Sequence, residues 1–249
     1  MKPVVLFALA AALAVPGTQA AAKPAAPAAA VADPARSSAN RAMDEGRMPA
    51  AVLAFAGFKP GDTVADYQAG SGYYTELLAG VVGPRGRVYA MSQPNFWKAD
   101  AWAPVLKAHP NIMPLVAPAT ALQLAPASVD GIFAHLVYHD LYWVSDEYQH
   151  PAMDVDAVLR GWFATVRPGG SVVIIDHAAN PGDPRVTVDK LHRIDPAVVR
   201  ADMERAGFVY DSARDMLRRS EDTRETGVFN EAIRGKTDRF VMKFRRSAR

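Results

Sequence analysis

The chain reads as a doubly wound α/β protein built on a mostly parallel sheet, and three observations predict it. Thr63 to Tyr67 is a short β-forming run behind the turn Pro60-Gly61-Asp62, and it leads into Gln68-Ala69-Gly70-Ser71-Gly72. The glycines there permit a sharp turn and a close backbone approach. Leu77, Leu78, Val81 and Val82 then recur at helical spacing, Gly83-Pro84-Arg85-Gly86 ends that helix, and Arg87 to Met91 reads as a second strand, which completes a βαβ unit. Strands and helices go on alternating along the chain. Ser171 to Asp176 is almost continuously apolar, as a parallel strand covered on both faces must be.

The 249 residues, half of them hydrophobic, suit one α/β domain with an appendage. The net charge is +2, and the one basic cluster, Arg245-Arg246 with Arg249, is short and terminal, so a nucleic-acid partner is not expected. Met1-Lys2, the apolar run Val4 to Val15 and the small residues up to Ala20 follow the pattern of a secretory signal peptide cleaved near Ala20 or Ala22. The run is short of the roughly 20 residues a membrane span takes. Residues 1–20 are therefore expected to be a signal peptide, residues 21–35 an Ala/Pro-rich tether without a core, and residues 36–249 the domain. The expected location is periplasmic or secreted, without stable membrane insertion after cleavage. The absence of cysteine excludes a lipoprotein anchor, disulfides and thiolate metal sites.

Arg36 to Gly57 reads as helical, with an apolar face after Pro49. Asn95 to Ala108 reads as a helix whose Phe96, Trp97 and Trp102 are read as core, with the alternative that Phe96 and Trp97, just past a strand end, flank a flat ring. Ile112 to Val116 and Val129 to Leu136 are the third and fourth strands, and Met153 to Val166 is a helix. Asp195 caps a helix that starts at Pro196 and stops before Gly207. Val209 to Met216 and Arg239 to Phe244 are the last strands. The connection between them is too long for a compact domain unless it covers a site. Ligands of doubly wound sheets bind beyond the carboxyl ends of the strands. That rule selects Asp66 to Gly72, Ser92, His135, His139, Asp140, Asp176 and His177.

The DxxxGxG turn after strand 1, the VGPxGxVYA segment into strand 2, the ASVDGIF strand and the RPGGSVVIIDH turn into strand 5 resemble class I S-adenosylmethionine-dependent methyltransferases. Tyr138-His139-Asp140-Leu141, Leu191-His192-Arg193-Ile194-Asp195 and Gly235-Lys236-Thr237-Asp238-Arg239-Phe240 are similar to a group of exported bacterial predicted methyltransferases. The resemblance implies a Rossmann-like, seven-stranded sheet whose last strand is antiparallel, and S-adenosyl-L-methionine as cofactor. Asp66 would serve the ammonium side of the cofactor, often through water. Gln68 and Ala69 would lead into Gly70-Ser71-Gly72, the backbone wall along its methionine part. Three positions depart from the family pattern. Ser92 stands where an acid usually accepts from both ribose hydroxyls, Pro118 aligns near the acid that faces the adenine, and Gln68 replaces the first loop glycine. A serine lacks the charge-assisted strength of a carboxylate, and Pro118 offers only a carbonyl. Either Gln93, Gln68 or Thr120 substitutes, or the pocket holds another ligand.

Methyl transfer asks the protein chiefly for alignment and desolvation, because the sulfonium is already activated. If the acceptor must lose a proton, His139 or His177 is the expected general base, with Asp140 or Asp176 orienting the ring and His135 nearby. No closely spaced ligand motif points to a metal. His192-Arg193 reads as a structural contact for the long connection. The expected function is an exported methyltransferase acting on a small molecule, and the alternative is a non-catalytic binding protein on a degenerate methyltransferase scaffold. A nicotinamide-dependent oxidoreductase fits less well, since the loop reads GxGxxT and no acid ends strand 2.

Overall fold

The structure, a computed structural model, describes residues 27–121 and 123–248. The expected signal peptide and residues 21–26 of the tether lie outside the described residues. The chain runs through α1 (Pro27–Val31), α2 (Ser38–Arg41), α3 (Asp44–Arg47), α4 (Pro49–Ala56), β1 (Thr63–Tyr67), α5 (Tyr73–Val82), β2 (Arg87–Ser92), α6 (Ala99–Ala108) and β3 (Ile112–Val116). It continues through β4 (Val129–His135), α7 (Val155–Thr165), β5 (Val166–His177), α8 (Pro184–Leu191), α9 (Pro196–Arg205), β6 (Val209–Arg214) and β7 (Arg239–Arg245).

The strands form one seven-stranded sheet in the order β3-β2-β1-β4-β5-β7-β6. The first five pair in parallel and β7 is antiparallel to β5. The order reverses between β1 and β4, so the loops after these two strands open a crevice at the carboxyl edge. Each face carries its own apolar layer. Tyr67, Ile132, Leu159 and Ile174 belong to one, and Leu77, Leu78, Val88 and Phe133 to the other. The expected fold class, with its antiparallel last strand, is the one observed.

Three local readings change. Residues 27–31 of the expected tether are the helix α1, whose Ala30 is buried and packs against Gly80 of α5. A run of alanines can pack when the opposing helix offers a glycine, because the backbones then approach closely. The helix expected over Arg36 to Gly57 is broken into α2, α3 and α4. Met48, in the left-handed conformation at φ 45°, separates the last two, and Pro49 sits at the first position of α4, where its missing N–H costs nothing. Helix α8 was not anticipated, although Asp183 caps it through the Val186 N–H at 3.0 Å and Pro184 starts it.

Asp195 caps α9 as expected, accepting from the Ala197 N–H at 2.8 Å. The segment between β6 and β7 contains no helix or strand. It is tied down by Arg193, which is fully buried and donates to Asp222, to the Thr226 carbonyl and to the Ala178 carbonyl. Arg193 is thus the structural contact expected of it, and Asp222 in turn accepts from the Asp238 N–H at 2.7 Å.

Gly131 in β4 admits no side chain. A Cβ there would lie 2.3 Å from Phe58 and 2.7 Å from the Ser171 carbonyl oxygen. Gly131→Ala should therefore destabilise by about 1–3 kcal/mol through overpacking, read as a lower urea midpoint at unchanged slope.

Candidate active site

Three linked cavities run along the carboxyl edge of the sheet, and Leu136, the residue after β4, lines all of them. The first encloses about 560 Å³ and is lined by Asp66, Gln68, Gly70, Ser71, His135 and Arg47. The second encloses about 1120 Å³ between α3, His177 and the long connection. The third encloses about 980 Å³ and is walled by Phe96, Trp143, Tyr148, His192 and Phe229 around His139 and Asp140.

The first cavity is built by the turn from β1 into α5. Gln68, Gly70 and Gly72 all have positive φ, at 52°, 56° and 82°. The turn is clamped from α6, where Trp102 donates its indole N–H to the Gly70 carbonyl at 3.2 Å and its ring lies 3.0 Å from where a Gly72 Cβ would be. Asp66 is buried and accepts from the Thr75 hydroxyl. Burial raises its pKa to about 7 against the opposing effect of that hydrogen bond, so a cationic ligand group would be needed to hold it fully ionised. Arg47 forms no ion pair among the described residues and stacks over the Tyr73 ring at 4.2 Å. His135 packs on the Tyr74 ring, and its Nε2 has no partner. Burial keeps its pKa well below the ordinary histidine value.

The departures from the family pattern resolve into one hydrogen-bonded chain. Ser92 does not face the cavities: it is buried, and its hydroxyl donates to the Gln93 carbonyl at 3.3 Å. The expectation that Ser92 contacts the cofactor is therefore corrected. The next residue, Gln93, is buried as well, and its Nε2 donates to Gln68 Oε1 at 2.9 Å and to His150 Nδ1 at 3.0 Å, which ties the end of β2 to the Gln68 wall of the first cavity. The His150 Nε2–H donates onward to the Asp140 carbonyl at 2.8 Å, which fixes the tautomer that leaves Nδ1 as acceptor. The Pro118 carbonyl is taken by the Ala121 N–H. Thr120 lines a separate cavity beside the sheet with Ala65 and Trp162, not the one holding Asp66.

Asp176, at the end of β5, is fully buried. It accepts from the His139 N–H at 2.9 Å, from His139 Nδ1–H at 2.8 Å and from the His177 N–H at 2.7 Å. His139 Nε2 lies 3.3 Å from Asp140 Oδ1. Burial alone would depress the His139 pKa, but the charges of Asp176 and Asp140 and the hydrogen bond to Asp176 outweigh it and raise the pKa to about 9. These carboxylates favour the imidazolium form of His139 at neutral pH, which weighs against its serving as the expected general base. The same attraction holds Asp176 below the usual carboxylate range, whereas burial pushes Asp140 above it. His177 is the opposite case: burial lowers its pKa to about 3, and its Nδ1 is 2.7 Å from the Thr237 hydroxyl.

Of the residues singled out from sequence, Asp66, Gln68, Ala69, Gly70, Ser71 and His135 share the first cavity, and His139, Asp140 and His177 share the third. Gly72 supplies the N-cap of α5. Phe96, assigned to the core, is instead exposed and stacks on Tyr148 across the third cavity. Its neighbour Trp97 stacks on the buried Trp102 as a core residue should. Arg47, His150, Arg239 and Trp143 were not anticipated. Only the Asp44-Glu45-Gly46-Arg47 charge cluster hinted at the first of them.

Residues 65–174 match the family model described as a methyltransferase domain. The matched segment runs from β1 into β5, and the seven-stranded sheet around it has the class I methyltransferase fold. Similar solved structures span nearly the whole fold. A SAM-dependent methyltransferase from Aquifex aeolicus is 22% identical at a TM-score of 0.57, covering 88% of this chain and 98% of its own. An S-adenosylmethionine-dependent methyltransferase from Mesorhizobium loti is 15% identical at a TM-score of 0.57, covering 82% of this chain and 100% of its own. Aeropyrum pernix fibrillarin, seen with natively bound S-adenosyl-L-methionine, is 17% identical at a TM-score of 0.52, covering 81% of this chain and 76% of its own. At such identities these likenesses establish the fold. No curated protein matches the sequence. S-adenosylmethionine is the cofactor that the methyltransferase-domain match supports.

The His139–Asp176 pair sets a pH dependence. A histidine whose folded pKa of about 9 exceeds its ordinary 6.5 contributes stability that is fully present below 6.5 and lost as pH rises through 9. The urea midpoint should fall between about pH 7 and 9.5, above the window in which Asp66 titrates, and His139→Gln should flatten that fall. An unchanged pH profile in the variant would refute the assignment of a buried imidazolium.

Proposed function

We propose that this chain transfers a methyl group from S-adenosylmethionine, bound in the Asp66 cavity, to a small molecule in the adjoining cavities. One observation carries the reading: Asp66 and Arg47 face the same cavity from opposite charge classes, with the glycine loop between them. That arrangement complements an amino-acid zwitterion, the ammonium toward Asp66 and the carboxylate toward Arg47. An ammonium there would also hold the Asp66 carboxylate ionised.

The chemistry then requires little. A lone pair on the acceptor attacks the methyl carbon, the carbon–sulfur bond breaks, and its electrons return to sulfur, which becomes a neutral thioether. The protein aligns the two reactants and excludes water. His139, favoured as a cation, is not suited to take a proton. Asp140, whose pKa burial raises, is the group in these cavities suited to receive one from a protonated acceptor, whereas burial makes the neutral His177 a weak base.

A second reading, a ligand-binding protein without turnover, is favoured by the chain Gln68–Gln93–His150, which fills the end of β2 with paired amides where a ribose-binding acid is usual. Export is also part of the proposal. It rests on the charged, apolar and small-residue order of residues 1–20. No helix among the described residues is long and apolar enough to cross a membrane.

A thermal-shift titration with S-adenosylmethionine and S-adenosylhomocysteine tests the cofactor. At 100 times its dissociation constant a ligand of the folded state stabilises by about 2.7 kcal/mol. Gly70→Asp should abolish the shift while keeping the fold, because a Cβ at Gly70 meets nothing within 4 Å and its φ of +56° is one that aspartate tolerates. No shift in the unmodified chain would sink the cofactor assignment.

A further inference from the structure

We infer that the methyl acceptor is an anion, carrying a carboxylate or phosphate group that Arg239 holds in the cavity between α3 and the long connection. The inference rests on the methyltransferase reading above and adds the substrate class.

Arg239 is the first residue of β7 and pairs in register with His177 of β5, so the topology sets its guanidinium at the carboxyl edge of the parallel strands. It is 3% exposed, a degree of burial that arginine rarely reaches without a carboxylate partner. Among the described residues it has none. Its Nη2 donates to the carbonyls of Gly46, at 2.6 Å, and Gly235, at 3.4 Å, and its Nε donates to the Thr237 carbonyl at 3.4 Å. Among the described residues its Nη1 has no acceptor, yet it is not sealed from the cavity that Arg239 lines.

The surroundings make the missing anion more conspicuous. Arg47 and Arg234 line the same cavity, with Glu45 the one carboxylate among its walls and exposed to solvent. The nearby acids are engaged elsewhere. Asp44 pairs with Arg36 and accepts from Tyr73, and Asp238 pairs with Arg218 and Arg224. His177, the other titratable wall, is neutral and engaged with Thr237. Burial and the repulsion of Arg47 both act against the Arg239 charge. Three cations facing one cavity with one exposed acid are matched by an anionic ligand.

Geometry separates this group from the cofactor's own carboxylate. Arg47 lines both the Asp66 cavity and this one, whereas Arg239 and Arg234 line only the second. Leu136, Val228 and Phe229 continue from it into the aromatic third cavity, so an anionic head at Arg239 directs an apolar body past His177 toward Asp140.

The test uses the full chain saturated with S-adenosylhomocysteine, whose binding is measured first and separately, so that failure of the cofactor reading is seen as such. Benzoate and phenyl phosphate are then titrated calorimetrically, with benzyl alcohol as the neutral control. At least one anion should bind and the alcohol should not. Arg239→Gln should weaken that binding by roughly 10- to 100-fold, the loss expected for a charge-assisted contact, and leave S-adenosylhomocysteine affinity unchanged. The preferred probe distinguishes carboxylate from phosphate. If Arg239→Gln fails to fold, Arg239→Lys and the exposed Arg234→Gln serve instead, each expected to weaken the anion selectively. Neither anion binding, equal binding of the alcohol, or anion affinity indifferent to these substitutions would overturn the inference.

Discussion

The carboxylate of Asp176 is the constraint on which the carboxyl edge of this sheet depends. It sits at the end of the central strand β5, without solvent, and a bare charge there would be costly. Three donors converge on it: the backbone and ring of His139 from the exit of β4, and the backbone of His177 from its own strand. The backbone bond bends the chain after β4 into the turn His139–Leu141, and the ring bond fixes the imidazole beneath the aromatic cavity. The charge left over on His139 is shared with Asp140, whose backbone carbonyl in turn receives His150 and, through it, Gln93 and Gln68. One buried ion pair therefore sets the positions of groups on four loops.

That arrangement divides the site electrically. Near the end of β1, burial raises the Asp66 pKa to about 7. After β4, the charges of Asp176 and Asp140 favour a cationic His139 that these two acids compensate. At the mouth between α3 and β7, Arg47 and Arg239 have no carboxylate partner among the described residues. A site in which buried charges are complete within the protein is rigid and needs no ligand to be stable. On the proposal above, Arg47 and Arg239 are completed by what the cavities that join at Leu136 bind, while the His139–Asp176 pair holds the edge in place.

The fold was legible because its signals are local. The strand–turn–helix at Asp66 to Val82, the continuous apolar strand Ser171 to Asp176 and the proline-started helix after Asp195 each follow from backbone preference and periodicity, and tertiary structure had nothing to override. Helix α1 was misread because alanine-rich sequence looks coreless until the glycine facing it, Gly80, is known. Phe96 was misread because a residue in the loop before a helix has no periodicity to place it. The candidate site was legible as a set of positions and illegible as chemistry. Strand ends pointed to Asp66, His139, Asp140 and His177. Whether a histidine is a cation or neutral depends on which carboxylate faces it, and Asp176 lies 37 residues from the His139 it binds. Ser92 shows the same limit, since nothing in the residue order tells that its hydroxyl bonds to the Gln93 carbonyl while the Gln93 amide bonds to Gln68 and His150.

The N-terminal helices explain how Arg47, outside the βα repeat, reaches the cavity at all. Glu76 of α5 is buried and accepts from the Asn40 side chain at 2.8 Å and from the Ser37 N–H at 3.1 Å, which seats α2 on α5. Arg36, buried beside it, grips Asp44 with two bonds of 2.8 Å. Asp44 begins α3 and also accepts from Tyr73, the first residue of α5. The turn of α3 then carries Arg47 over the Tyr73 ring and brings the Gly46 carbonyl to Arg239. One short helix thus supplies a guanidinium to the Asp66 cavity and a backbone acceptor to the arginine of the neighbouring one. Its own seat is Asp44, held by Arg36 and by Tyr73 on the helix that the glycine loop begins. The cavity wall and the loop are consequently one unit: a shift of α5 that widened the glycine turn would also withdraw Arg47 and loosen Arg239.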